Sequence, residues 1–114
     1  MESKYSKMIE ALKRKAREIL PAGSRLVLYG SRARGDARAD SDWDVPVLVT
    51  GPEKLSYVED DRYGYPFYSI GLQYGEIVNA RVYSFTGWLK RRMLPFYKNV
   101  EHDKVLIFGN NTSL

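Results

Sequence analysis

The chain has 114 residues, is 44% hydrophobic, carries a formal net charge of +4 and contains no cysteine. That length suits one small domain, 1–114, able to bury near two-thirds of its unfolded surface. Without cysteine there are no disulfides, no thiolate metal sites and no cysteine nucleophile. No apolar run approaches the ~18–20 residues that span a bilayer. The basic residues near the N-terminus lead into no apolar signal-peptide core, so a cytoplasmic protein with no membrane segment is expected.

Charge is spread unevenly. Residues 1–38 hold ten Lys or Arg against four acids, 39–76 hold eight acids against two bases, and 77–114 hold six bases against two acids. Such a pattern suits RNA, a nucleotide or an acidic protein partner, and equally a solvated helix face.

In chain order, Tyr5, Met8, Ile9, Leu12, Ala16, Ile19 and Leu20 recur at three- and four-residue steps, predicting a helix over residues 3–20. Ser3 can cap it and Pro21-Ala22-Gly23 stops it. Leu26-Val27-Leu28-Tyr29 reads as a strand over about 25–29, ending at Gly30-Ser31. That pair opens a short helix, where free backbone N–H groups and the Ser31 hydroxyl suit a phosphate. Arg32, Arg34 and Arg38 follow, either as phosphate ligands or as surface charge. Gly35 reads as a left-handed turn or a close-packing position.

Ten residues after Gly30-Ser31 comes Asp42-Trp43-Asp44, at the start of a strand expected over about 42–50. Residues two apart on a strand share a face, so the two carboxylates stand roughly 6–7 Å apart along the chain. Carboxylates that close repel one another unless a cation lies between them, and hard oxygen ligands favour Mg²⁺. Trp43 then faces the core. Pro46 places the strand at an edge or a bulge, or ends its regular pairing.

Residues 53–73 are expected to be helical, kinked or broken near Tyr65-Pro66. A third strand spans Glu76–Ser84. A helical stripe of Phe85, Trp88, Leu89 and Met93 follows, then a short helix started by Pro95. Val105-Leu106-Ile107-Phe108 is a last strand or a terminal segment laid on the core. His102 reads as a surface residue, and residues 110–113 contain sequons that no secretory signal makes relevant.

Gly30, Ser31, Arg34, Gly35, Ser41, Asp42, Asp44 and Val45 together resemble the nucleotidyltransferase superfamily with a polymerase-β-like core. Within it they resemble the minimal nucleotidyltransferases of prokaryotes. Val82-Tyr83-Ser84, Trp88 and Pro95–Val100 match the same group. The resemblance implies an α/β (α+β) fold, a small mixed β-sheet flanked by helices. It further implies transfer of a nucleoside monophosphate to a hydroxyl from ATP or another nucleoside triphosphate. Asp42 and Asp44 would be the catalytic carboxylates and the ligands of Mg²⁺ or Mn²⁺; Gly30, Ser31 and Arg34 would hold the triphosphate.

Enzymes of this superfamily usually add a third carboxylate from the next strand. Here Asn79 aligns with it, and an amide cannot act as a base; Glu76 is the nearest alternative, three residues off register. The resemblance also implies a HEPN-domain toxin as partner and AMP attached to one of its tyrosines. With one domain, the acceptor site is expected on another molecule. An antitoxin that neutralises its partner by contact alone is the alternative. RNA binding rests on charge only, and an oligomer is open.

Overall fold

The computed structural model describes residues 3–51 and 53–109; the sequons at 110–113 lie outside the described residues. The N-terminal stripe forms α1, Lys4–Ile19, whose Ser3 cap accepts a hydrogen bond from the Ser6 amide at 3.1 Å. Its Met8, Leu12 and Ala16 are fully buried. The succeeding elements are β1 (Arg25–Leu28), α2 (Ser31–Arg34), β2 (Trp43–Asp44), β3 (Val47–Val49) and α3 (Tyr57–Gln73). Then come β4 (Val78–Asn79), β5 (Val82–Ser84), α4 (Phe85–Leu89), α5 (Pro95–Asp103) and β6 (Val105–Phe108). This is the expected mixed α/β class.

Four strands form one mixed sheet in the order β5-β3-β1-β6. In it β3 and β5 are parallel, and β1 is antiparallel to both β3 and β6. β2 and β4 form a separate parallel pair. The strands expected over 42–50 and 76–84 are thus each broken in two, but at a single register. Asp44 lies opposite Asn79 and Val47 opposite Val82. The ladder carries through the break, with the amides of Trp43, Val45 and Val47 donating to the carbonyls of Ile77, Asn79 and Arg81 at 2.8–2.9 Å.

Pro46 explains the interruption. Val27 donates to the Pro46 carbonyl at 3.0 Å, but proline has no N–H to return the second bond of that antiparallel pair. The strand is nevertheless interior, since β3 lies between β1 and β5. One missing donor costs one ladder bond and does not exile the strand to an edge.

Two departures lie in the helices. α3 begins at Tyr57 rather than 53, because Ser56 and Glu59 form a capping box there. It runs through Pro66 as one helix, so the expected break is absent. α4 stops at Leu89 rather than reaching Met93. Leu94 is extended (φ −84°, ψ 145°) ahead of Pro95, as a residue preceding proline must be.

The sheet separates two apolar clusters. Trp43, Val45, Val47 and Val49 join Met8, Leu12, Phe67 and Ile70 on the face beneath α1 and α3. Leu48 points the other way, to Phe85, Trp88 and Val100 of α4 and α5. Trp43 is 5% exposed, in the core as expected. Strand alternation therefore puts Asp42 and Asp44 on the second face, beyond the end of its apolar cluster. No helix among the described residues is long and apolar enough to cross a membrane.

Candidate nucleotide site

The glycine of the Gly30-Ser31 turn is required twice over. Its φ is +83°, a region that side chains strain to enter. A Cβ on it would also lie 2.9 Å from Asp44 Oδ2. Directly beside it the Tyr29 amide donates to the Asp44 carbonyl at 2.8 Å, an antiparallel bridge. The turn and the second carboxylate are therefore in contact. The amides of Ala33 and Arg34 both bond back to the Gly30 carbonyl at 3.0 Å. Those of Ser31 and Arg32 head the first turn, where a helix supplies no acceptor of its own. Gly35 closes α2 in the left-handed conformation, φ +85°.

Asp42, just before β2, is exposed, and Asp44 is half-buried. Asn79 joins them: its Nδ2 donates to Asp42 Oδ2 at 3.3 Å and to Asp44 Oδ1 at 3.5 Å. The parallel register, which pairs Asp44 with Asn79, thus brings all three side chains to one place. No group of three or more His, Cys, Asp or Glu side chains suited to a metal occurs among the described residues. The site is two carboxylates and an amide.

Glu76 is elsewhere. It is 7% exposed, and its Oε1 accepts from the Trp43 indole at 2.8 Å while Lys4 reaches Oε2 at 2.9 Å. Arg32 lies 3.5 Å from it, with its guanidinium over the rings of Trp43 (4.6 Å) and Tyr5 (5.0 Å). The indole hydrogen bond, together with Lys4 and Arg32, holds the Glu76 carboxyl below the usual range against the opposing effect of burial. Glu76 is therefore on the Trp43 side of the strand and does not supply the third acid. Arg32 also donates to the Ser41 carbonyl at 2.9 Å, so it anchors the loop that delivers Asp42.

The other basic residues are placed at the surface. Arg34 is exposed and pairs with Asp36 (3.3 Å) and Asp103 (3.5 Å). Arg38 contributes its backbone amide, bonded to Ser41 Oγ at 2.9 Å. His102 is exposed beside Asp103.

A cleft of about 190 Å³ opens next to Asp44 and Asn79, walled by Tyr29, Pro46, Arg81, Tyr83 and Phe96. Sequence alone did not single out Arg81 and Tyr83 for the site, although strand parity with Asn79 could have found them. Parity could not find Phe96: it arrives from α5, edge-on to Tyr29 with ring centroids 5.8 Å apart.

The donor set fits a hard divalent cation. Mg²⁺ commonly takes one or two carboxylates and completes its shell with water and phosphate oxygens, and both aspartates here have open faces. Ser31→Ala tests the turn. The fold should survive, because the N-cap of α2 is Gly30 and no side chain caps that helix start. Triphosphate affinity should fall. A collapsed melting temperature with unchanged affinity in the folded fraction would make Ser31 structural instead.

A glycine turn against a strand that carries one carboxylate and is led in by another, on a small mixed sheet, is the arrangement of a nucleotidyltransferase. Residues 6–106 match the nucleotidyltransferase domain family, and the chain belongs to it. A relative in Methanocaldococcus jannaschii, provisionally named as a protein adenylyltransferase, is 33% identical over 106 residues, covering 92% of this chain and 96% of that protein. By family the chain is a nucleotidyltransferase enzyme. Two crystal structures share the fold at low identity. One is a toxin–antitoxin with AMP-PNP, at TM-score 0.63 and 15% identity over 90% of this chain and 74% of that one. The other is a toxin–antitoxin MntA-HpeT mutant with two aspartates, two residues apart, changed to glutamate. It matches at TM-score 0.59 and 13% identity over the same shares.

Proposed function

We propose that the chain binds ATP, or another nucleoside triphosphate, with Mg²⁺ or Mn²⁺ on Asp42 and Asp44. It then transfers the nucleoside monophosphate to a hydroxyl of a toxin partner, of the HEPN class, in the cytoplasm. The observation that carries this is the contact of Asp44 with Gly30: triphosphate tail and metal-bound phosphates would lie side by side. The name of the Methanocaldococcus relative and the AMP-PNP in a structural neighbour support it.

The metal would neutralise charge on the transferring phosphorus and on the departing pyrophosphate. The Ser31 hydroxyl and the first-turn amides of α2 hold the triphosphate tail and orient it. Arg34 turns to the phosphates at small cost, because exposed ion pairs such as its own with Asp36 and Asp103 are worth little. The acceptor oxygen bonds to the α-phosphorus as the bridge to the β-phosphate breaks and pyrophosphate leaves. The hydroxyl proton passes to an aspartate or to a group of the partner, since the Asn79 amide cannot take it.

Asp42→Asn should weaken Mg-ATP binding at least several-fold, because it removes a full charge from the cation site. ATP labelled on the α-phosphate, incubated with the partner, tests the transfer itself. Label on the wild-type partner, absent with Asp42→Asn, is the expected result. Asn79 favours a second reading, a weak or silent enzyme that restrains its partner by contact. Partner inhibition that persists with no labelling by any variant would select that reading.

A further inference from the structure

The groups of the site lie in a row across the strands. The bridge at Tyr29 sets the Gly30 turn beside Asp44, and the parallel register sets Asp44 beside Asn79. Asp44 Oδ2 closes on Gly30, where an added Cβ would meet it at 2.9 Å. Its Oδ1 accepts from Asn79 at 3.5 Å. The cleft of about 190 Å³ crosses the line of that row. Its lining follows the strands, from Asp44 to Pro46 and from Asn79 to Arg81 and Tyr83, in steps of two residues that keep one face. Phe96 of α5 closes it.

We propose that this cleft holds the nucleoside of the donor nucleotide, with its base stacked on Phe96; the assignment rests on the function proposed above. The stereochemistry of the transfer sets the direction. With the triphosphate tail on the Gly30-Ser31 turn, pyrophosphate leaves on the turn side of the α-phosphorus. The acceptor oxygen then arrives in line with it, from the Asn79 side. The three other oxygens of the α-phosphate stand around that axis, and one of them carries the ribose. Their directions run along the strands or up from the sheet. One way along the strands lies the exposed Asp42; the other way lies the cleft, which has walls.

Those walls suit a base. Phe96 is 39% exposed, and its ring stands nearly perpendicular to those of Tyr29, at 5.8 Å, and Trp88, at 6.0 Å. A ring held by two others has little freedom left to lose when a base stacks on it. Roughly 300–1,000 Å³ holds a drug-sized ligand, so this smaller space takes one ring system and leaves the phosphates on the turn. Arg81 adds the polar contact. Its guanidinium has no hydrogen bond or ion pair among the described residues. It can only donate, which matches ring nitrogens and ribose oxygens.

Calorimetry with Mg²⁺ present, comparing ATP with inorganic tripolyphosphate, separates the nucleoside from the tail. Phe96→Ala should weaken Mg-ATP about fivefold or more and leave Mg-tripolyphosphate unchanged, which also shows that the variant is folded. Phe96→Leu keeps apolar bulk without a ring and should lose Mg-ATP likewise. Phe96→Tyr should bind as the wild type does. Wild-type Mg-ATP affinity in the alanine or the leucine variant would overturn the proposal and leave the cleft to the acceptor side chain. So would an equal loss of both ligands, or a loss in Phe96→Tyr as large as in Phe96→Ala. A wild type that binds neither Mg-ATP nor Mg-tripolyphosphate would reject the nucleotide reading. Adenosine alone then decides the cleft. A saturation-transfer NMR signal that Phe96→Ala removes would keep a nucleoside there, and no signal would overturn this proposal as well.

Discussion

Asn79→Asp is expected to raise nucleotide transfer by about 10²–10⁴-fold, the contribution of a positioned general base. The side chain already sits beside both aspartates, with its amide nitrogen 3.3 Å from an oxygen of Asp42 and 3.5 Å from one of Asp44. The shape hardly changes; the chemistry does, from a donor that cannot take a proton to an acceptor that can. A third carboxylate also replaces two attractive contacts with two repulsions. The variant should therefore melt lower than wild type without divalent cations, and recover when Mg²⁺ is added. Unchanged transfer, with robust wild-type activity abolished by Asp42→Asn, would show that two carboxylates suffice.

Glu76→Ala should cost about 2–4 kcal/mol of stability. It strands the Trp43 N–H and leaves Arg32 beside it without its counter-charge. For a chain of this length that is a melting shift of roughly 10 °C. Glu76→Gln should be milder, since an amide oxygen can still accept from the indole. The pH dependence separates the two effects. The folded-state pKa of Glu76 is lowered, so its contribution is present above the unfolded carboxylate value, near 4.3. It fades as pH falls through the lower folded value. Both variants should lose this acid-side slope. A slope that persists in Glu76→Gln would assign it to other carboxylates.

The chain shows which parts of such a protein can be read from residues alone. The turn and the paired aspartates were legible because their chemistry is local: Gly30 answers a backbone requirement and Asp42 and Asp44 a strand parity. Asn79 came from aligning its strand with the third carboxylate of the family; the parallel register that sets it opposite Asp44 is not visible within residues 76–84. Pro46 left three readings open, an edge, a bulge or an end to regular pairing. The structure takes the last: β2 ends at Asp44 and β3 starts at Val47, with β3 interior to the sheet. Glu76 also stayed open. Its role depends on Lys4, Arg32 and Trp43, which come from three other segments, and no pattern within residues 76–84 contains them. The limits of α3 were blurred by its two apolar stripes, which smear the single periodicity that marks a one-sided helix.

Calorimetric titration of the wild-type chain with ATP, with Mg²⁺ and then with EDTA, tests the central claim most directly, because it needs no partner. The two carboxylates beside the Gly30-Ser31 turn predict binding that appears with Mg²⁺ and weakens at least several-fold in EDTA, and likewise in Asp42→Asn and Asp44→Asn. ATP bound equally well with and without the metal, or as well by both variants as by the wild type, would contradict it.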